Sequence, residues 1–206
     1  QALIKWAWLD ELNGGLLALS GADAGAVGQA LLAGDTVRAE QVARRLARTF
    51  PQRFFVEVQR AGLATNEAHV RAAVPLAARL SLPVVATHPV QFLEPDDYDA
   101  HEARVCIAEG ETLANPRRAK RFTRDQHFKT QADMVALFAD APSAVANSVE
   151  IARRCSLQLV LGKPQLPDFP TPDGLPIEAY FRQASFEGLE RRLATLFPDP
   201  ARRERE

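Results

Sequence analysis

The fold is decided by a six-residue apolar stretch in the first half of the chain, Phe54-Phe55-Val56-Glu57-Val58-Gln59. A run this short that is rich in aromatic and β-branched residues predicts a buried strand. Two similar runs flank it, Leu16-Leu17-Ala18-Leu19-Ser20 and Pro83-Val84-Val85-Ala86-Thr87. The sequence therefore predicts three strands before His88.

Helical periodicity fills the intervals between these strands. Apolar residues recur at helical spacing from Ala39 to Leu46, and a second such segment opens at the capping residues Thr65 and Asn66. Pro75 lies inside this second segment, where it predicts a local bend. Alternation of strands and helices predicts a parallel sheet covered by helices, which is an α/β architecture.

Helices dominate the rest of the sequence. We expect them at about residues 96–108, 131–138, 142–155 and 177–196. Pro142 is placed as a first-turn proline, and a proline-rich connector from Lys163 to Gly174 precedes the last helix. Regular structure is disfavoured in such a connector, so we predict a domain boundary there.

The composition excludes several classes of protein. The 206 residues carry a formal charge of −1, which argues against wholesale nucleic-acid binding. Cys106 and Cys155 lack paired spacing, so a reducing cytosol is expected, and neither a membrane span nor a signal peptide is visible. The sequence begins with Gln1 and not with Met, and it ends in the charged run 202–206. We therefore expect both ends to be internal positions of a longer protein.

Several segments together resemble a known family, the alpha subunit of bacterial DNA polymerase III, which is the C-family replicative polymerase. The segments that carry the resemblance are Gly14–Gly28, Phe54–Arg60, Leu82–Thr87 followed by Asp99-Ala100-His101-Glu102, Phe138-Ala139-Asp140, Ala146–Cys155 and Leu166–Pro170. They cover nearly the whole chain in the family's order.

The resemblance implies a fold and a domain plan. Residues 1–160 would be the latter part of the family's PHP (polymerase and histidinol phosphatase) domain, a partial distorted β/α barrel. Residues 161–176 would be the connector, and 177–206 the start of the polymerase core with a palm-side helix.

The resemblance also implies a role for the parent protein. It would be a cytoplasmic DNA-directed DNA polymerase, a nucleotidyltransferase that acts on DNA and dNTPs in chromosome replication. Its Mg²⁺ ions would be held outside this fragment, and its partners would include the proofreading exonuclease subunit and other replicase subunits. The fragment alone would be an inactive scaffold segment with no catalytic residue.

A metal site of the PHP type is expected to be degenerate in this sequence. Active PHP domains carry an Asp-x-His ligand pair shortly after the strand that ends here at Thr87, but those positions read Pro89 and Gln91. Proline offers no side-chain ligand, and a glutamine carbonyl is a poor substitute for imidazole. We therefore expect no metal site. An Asp and a His there would have favoured the alternative, a PHP-type metal-dependent phosphoesterase or 3′–5′ exonuclease.

Other acidic residues and histidines are interpreted as structural. Asp99 and His101 are i, i+2 on a helix, so they should diverge as capping or solvent-facing residues. Glu57 is interpreted as an edge or ion-paired residue, with a remnant of pocket chemistry as the alternative, and His69 as solvent-exposed. Asp97-Tyr98-Asp99 resembles the paired aspartates of a polymerase palm, but it lies before the connector and is not interpreted as that site. His127 lies in a polar loop and has no partner pattern. Both cysteines are interpreted as packing residues.

A basic run is the one candidate for DNA contact. It contains Arg117, Arg118, Lys120, Arg121 and Arg124, with Phe122 and Phe128 interleaved. Such cations could contact the phosphate backbone, and a solvated loop is the alternative. A free-standing α/β binding module is a third interpretation of the whole chain.

Overall fold

A computed structural model describes residues 4–164, 167 and 169–199. Several predictions fall partly outside this range, among them the connector at Gln165. The others are the interpretation of the ends at residues 1–3 and 202–206, Leu166 and Asp168 of the 166–170 motif, and the last residues of the predicted 177–206 segment.

The sheet has three parallel strands in sequence order, β1 (Ala18–Leu19), β2 (Phe54–Gln59) and β3 (Val84–Thr87). Ala18 lies opposite Phe54, and Glu57 lies opposite Val85. The three predicted strands are confirmed, although β1 is shorter than its apolar run. The central strand is β2, and its first five residues are all buried.

Four helices lie before β3 or between the strands: α1 (Trp6–Leu12), α2 (Ala26–Leu32), α3 (Thr36–Thr49) and α4 (Ala64–Arg79). The periodicity predicted α3 and α4. It missed α1 and α2, since each has seven residues, two turns at most, and too few positions to define a face. The helix α4 begins at Ala64 and continues through Pro75.

Four further helices follow β3: α5 (Tyr98–Glu109), α6 (Gln131–Leu137), α7 (Pro142–Arg154) and α8 (Ile177–Leu196). All four were predicted to within two residues at each end. Pro142 is the first residue of α7, where its missing N–H costs no helical hydrogen bond. Short 3₁₀ turns occupy Pro95–Asp97 and Pro172–Gly174.

The core lies between the sheet and the helices that pack on it. Phe54, Val56 and Val58 of β2 are buried together with alanines and leucines of α2, α3 and α4. The helix α7 packs on β3, and the Asn147 side-chain amide donates to the Val84 carbonyl oxygen at 2.7 Å. β3 is an outer strand, and this bond satisfies a carbonyl oxygen of β3 that does not pair with β2.

The chain divides into two compact units, Gln1–Ser156 and Leu157–Glu206. The first contains the sheet and its helices α1 to α7. The second contains the connector and α8, and among its described residues α8 has no buried side chain.

Candidate functional site

The carboxyl ends of the parallel strands bring a polar cluster together around Glu57. Its Oε2 accepts from the Gly21 backbone N–H at 3.1 Å, beyond the end of β1. Its Oε1 accepts from the Thr87 hydroxyl at 2.5 Å and from the Gln59 side-chain amide at 3.3 Å. The Glu57 N–H in turn donates to the Ser20 hydroxyl at 2.9 Å. One carboxylate therefore links the ends of all three strands.

Glu57 is 8% exposed and lies on the central strand. The interpretation of Glu57 as an edge or ion-paired residue is therefore wrong. Its hydrogen-bond donors are the uncharged groups of a backbone amide, a hydroxyl and a side-chain amide, which offset the cost of burying the carboxylate. Sequence periodicity identified the strand, but it could not say that this strand is flanked on both sides.

The segment after β3 carries Pro89 and Gln91, and a strap formed by residues 123–128 holds it. The buried Gln126 is the centre of this contact: its side-chain amide donates to the Pro89 carbonyl oxygen at 3.2 Å. The Gln91 backbone N–H donates to the Gln126 carbonyl oxygen at 2.8 Å. Phe92 and His127 continue the contact as a parallel bridge. The strap therefore meets the segment where the resemblance expects metal ligands.

The described side chains at this edge do not form a metal-binding set. In the part of the chain that the structure covers, no group of three or more His, Cys, Asp or Glu residues is arranged to hold a metal ion. The Gln91 side chain is exposed, and Pro89 offers only its carbonyl oxygen, which Gln126 already engages.

His69 is buried in α4 with only 1% of its surface exposed, so the prediction of a solvent-exposed residue is wrong. Its Nε2 has no hydrogen-bond partner. Burial lowers the pKa of His69, against the opposing influence of the nearby carboxylates of Asp23 and Glu57. The spacing contained a usable signal, because Ala73 and Leu76 lie four and seven residues further on, along the buried face.

His101 is also buried, with its ring centroid 5.5 Å from that of Phe92 and 4.6 Å from that of Phe122. The prediction that it is a capping or solvent-facing residue is wrong. Burial lowers its pKa, and Arg104 Nη2 lies 3.0 Å from its Nδ1. Asp99, two residues earlier, is exposed as predicted and pairs with Arg124 at 2.9 Å.

The predicted basic run is engaged largely within the protein. Arg118 Nη1 lies 2.5 Å from Glu102 Oε2, and the two side chains are 9% and 2% exposed. The hydrogen bond to Glu102 raises the pKa of Arg118. The Arg118 guanidinium is therefore engaged by a buried partner, and no local spacing in the sequence predicted its pairing with Glu102.

The other cations of the run differ in their surroundings. Arg121 lies 3.3 Å from Glu109, and Arg124 pairs with Asp99 and stacks over the Tyr98 ring at 4.6 Å. The exposed side chains of Arg117 and Lys120 form no ion pair within the described residues. The side chains of Arg117, Lys120, Arg121 and Arg124 are all exposed, so DNA contact by these four cations remains a prediction.

Sequence reasoning missed an arginine that joins three elements. Arg60, just after β2, makes a bidentate contact with Asp140, Nη1 to Oδ1 at 2.6 Å and Nη2 to Oδ2 at 2.8 Å. Its Nε donates to Glu67 Oε1 at 2.8 Å and its Nη1 to the Leu137 carbonyl oxygen at 2.8 Å. The Arg60 hydrogen bond lowers the pKa of Asp140. Arg60 thus fixes the α6–α7 turn against the end of β2.

The two cysteines differ in their environment. Cys106 is buried on α5, as predicted, whereas Cys155 is exposed at the end of α7, so its interpretation as a packing residue is wrong. No helix in the described part of the chain is both long and apolar enough to cross a membrane.

Comparisons with known proteins agree with the pattern of motifs. A family model of the PHP domain matches residues 1–61. The chain is 49% identical over 198 residues to a Pseudomonas aeruginosa protein, 48% identical over 198 residues to one from Neisseria meningitidis and 45% identical over 201 residues to one from Escherichia coli K12. Each of these proteins is named DNA polymerase III subunit alpha.

These matches cover 96%, 95% and 98% of the chain but only 17% of each relative's own length. Identity at this level over nearly all of the chain reflects common ancestry, and it agrees with the order of the motifs. The chain belongs, as a segment with a PHP domain at its N-terminal end, to the family of bacterial DNA polymerase III alpha subunits.

Proposed function

We propose that the chain is a non-catalytic scaffold segment of the catalytic subunit of a replicative DNA polymerase. The observation that carries the proposal is identity of 45–49% along nearly the whole chain to proteins named DNA polymerase III subunit alpha. The parent would be a nucleotidyltransferase that extends a primer with dNTPs on DNA. Its Mg²⁺ ions would be held by carboxylates outside this segment.

We further propose that the PHP metal site of this segment is degenerate. Support comes from Pro89 and Gln91, from the engagement of the Pro89 carbonyl by Gln126, and from the neutral donors around Glu57. In an active PHP domain, bridging cations would hold the loops at this end of the sheet together. In this chain, the hydrogen bonds of the strap would take over that structural role. This chain's residues would then position the strand ends and carry out no hydrolysis.

We propose that the three parallel strands are part of a distorted β/α barrel that residues outside this segment complete. Support comes from the sequential order β1-β2-β3 and from helices after each strand, since consecutive parallel β/α units build barrels. Residues 1–160 would belong to this PHP barrel, 161–176 to the connector, and 177–206 to the start of the polymerase core.

The partners and location follow from the same proposal. The parent would act in the cytoplasm with the proofreading exonuclease subunit and other replicase subunits, and the PHP domain would dock the proofreading subunit. A scaffold role requires a stable α/β unit, and the continuous core formed by β2, α3 and α4 supports it.

Metal content and hydrolysis test the degenerate site. The purified chain, dialysed against zinc and then against manganese, should hold well below one metal ion per chain and should not hydrolyse a model phosphodiester. The variant Gln91→Ala should behave identically, because its backbone N–H still reaches Gln126. Stoichiometric metal together with hydrolysis would establish the phosphoesterase or exonuclease alternative instead.

A further inference from the structure

The turn between α1 and β1 contains the one Asn-Gly pair of the sequence, Asn13-Gly14. An asparagine followed by glycine is chemically labile, because glycine has no side chain to keep its backbone nitrogen away from the preceding carboxamide. A Cβ added at Gly14 would find no atom within 4 Å, and the residue is exposed. The space around Gly14 is therefore open to solvent.

The other three asparagines of the sequence lack this combination. Asn66 and Asn147 lie within the helices α4 and α7, and each precedes a residue that has a side chain. Asn115 precedes Pro116, whose backbone nitrogen carries no hydrogen. Asn13 is therefore the asparagine at which the following nitrogen can most easily attack the carboxamide.

The side chain of Arg53, the residue before β2, holds Asn13 at two points. Its Nη1 donates to the Asn13 carbonyl oxygen at 2.6 Å, and its Nη2 donates to Asn13 Oδ1 at 3.0 Å. The Arg53 main chain is fixed as well, since its carbonyl oxygen accepts from the Ala18 N–H of β1 at 2.8 Å. These two side-chain bonds, called here the Arg53 clamp, are thus tied to the pairing of β1 with β2.

The Arg53 clamp keeps Asn13 away from a reactive geometry. Asn13 has φ −76° and ψ −3°, and its Nδ2 donates to the Asp10 carbonyl oxygen at 3.0 Å. For reaction, the Gly14 nitrogen must approach Asn13 Cγ, which requires the main chain to rotate and the carboxamide to be released. The Asn13 carbonyl oxygen and the Gly14 nitrogen share one peptide plane, so a bond that fixes the oxygen also fixes the nitrogen. Arg53 therefore opposes both movements.

We propose that Asn13 is a site of spontaneous deamidation, which the Arg53 clamp keeps closed while β1 and β2 remain paired. The Gly14 nitrogen bonds to Asn13 Cγ, and the Cγ–Nδ2 bond breaks to release ammonia, which takes up the proton that the Gly14 nitrogen loses. Water then opens the cyclic imide at either carbonyl and leaves aspartate or isoaspartate. Isoaspartate would route the main chain through the former side chain and disrupt the turn before β1. The proposal is independent of the proposed function.

Peptide mapping by mass spectrometry of the full-length protein, kept in mildly alkaline buffer, measures deamidation at each asparagine. In the unmodified protein, Asn13 should deamidate at least about tenfold faster in urea than in native buffer, because the clamp must open first. Arg53→Ala should remove most of this difference. Arg48→Ala is the matched control, since it removes an exposed cation that lines the same concavity as Asn13 and forms no described bond to it. The rate in this control should equal that of the unmodified protein.

Hydrogen exchange of residues 54–59 in β2 shows whether Arg53→Ala remains folded. If it does not, Arg53→Lys replaces it and should also accelerate the reaction, because an ammonium lacks the two-armed fork that reaches both oxygens. An unchanged rate in the folded variant would overturn the proposal, as would equal acceleration by Arg48→Ala. A native rate equal to the rate in urea would refute the protection. A faster reaction at Asn66 or Asn147 in urea would refute the assignment of the site.

Discussion

Two buried histidines give the protein a specific response to acid. His69 and His101 both have a pKa lowered by burial from the ordinary value of 6.5, and each has an Nε2 without a hydrogen-bond partner. The unfolded chain therefore binds protons more readily than the folded one as pH falls below 6.5. Stability from these neutral imidazoles is fully present above that pH and is lost below it.

Replacing one of these imidazoles should reduce the acid response. We expect His69→Gln to unfold with a midpoint that changes less between pH 7 and pH 5 than that of the unmodified chain, whatever its absolute stability. Urea unfolding at several pH values measures this dependence. An unchanged pH dependence in His69→Gln would show that His69 is not the titrating group.

Arg117 and Lys120 are the two exposed cations of the basic run that form no ion pair within the described residues, and they offer the simplest test of the predicted DNA contact. Replacing both by Ala in the full enzyme should reduce the slope of log binding constant against log salt by up to about 2, because each phosphate contact releases roughly one counterion. The control Arg38→Ala with Arg48→Ala removes two exposed cations from α3 and should leave the slope unchanged. A loss of slope in both variants would indicate a general charge effect.

Residue roles were harder to predict from the sequence than residue positions. The sequence placed Glu57 on a strand and His69 and His101 on helices, but it assigned all three to exposed or edge positions. Burial depends on which faces meet in three dimensions, and the pairing of Arg118 with Glu102 joins residues sixteen positions apart across a loop. Such a contact leaves no local spacing signal.

The turn between β1 and α2 and the first turn of α2 leave no room for a side chain at two glycines. A Cβ added at Gly25 would lie 1.8 Å from the Ser20 carbonyl oxygen, and one at Gly28 would lie 2.0 Å from the Ala22 carbonyl oxygen. Both of these oxygens belong to the backbone, so the clash could be removed only by a shift of the main chain. The turn also delivers the Gly21 N–H to Glu57, which links this close packing to the cluster at the strand ends.

Gly25→Ala should therefore destabilise the chain by about 3 kcal/mol, the upper end of the cost of overpacking. Chemical denaturation monitored by circular dichroism measures this change. Gly14→Ala is the matched control: no atom lies within 4 Å of its added methyl group, so its midpoint should barely move. Equal effects of the two substitutions would show that the clash at Gly25 is not responsible, because the lower flexibility of the unfolded chain in Gly→Ala variants favours folding.

The elements themselves could be predicted well where they are long or strongly patterned. The strands β2 and β3 and the helices α5 to α8 follow directly from apolar runs, periodicity and Pro142. The short helices α1 and α2 have no side-chain capping bond and too few turns for a periodic pattern. Their position depends on packing against the rest of the fold, which a local pattern does not encode.

At the scale of the whole chain, we expect proteases to cut first at the boundary between the two units. Leu157, Leu159, Val160 and Leu161 are 85%, 72%, 67% and 83% exposed, and they precede the proline-rich connector. Thermolysin cleaves before such aliphatic residues. In the 206-residue chain we expect the first cuts between residues 157 and 161, leaving a resistant fragment of the first unit, as measured by mass spectrometry.

The buried aliphatic residues of the same kind, such as Leu76 and Val85, are internal controls for this experiment. Early cleavage at those positions would mean that the first unit opens as readily as the connector. The predicted boundaries at residues 160 and 176 came from proline content and from the family resemblance. Composition identifies where regular structure stops, whereas the barrel and the role of the parent could be inferred only through the resemblance.

The unequal anchoring of the long connection between α5 and α6 determines where foreign sequence can be introduced. Residues 111–114 are exposed, and their few contacts are local turns, whereas residues 123–128 are held to the segment after β3 by Gln126 and Phe128. A fluorescent-protein tag or an epitope inserted after Thr112 would lie in solvent and would leave residues 123–128 in contact with the segment after β3. The same cargo placed after Gln126 would separate the two stretches, so the first position is the natural attachment point for imaging this subunit in living cells.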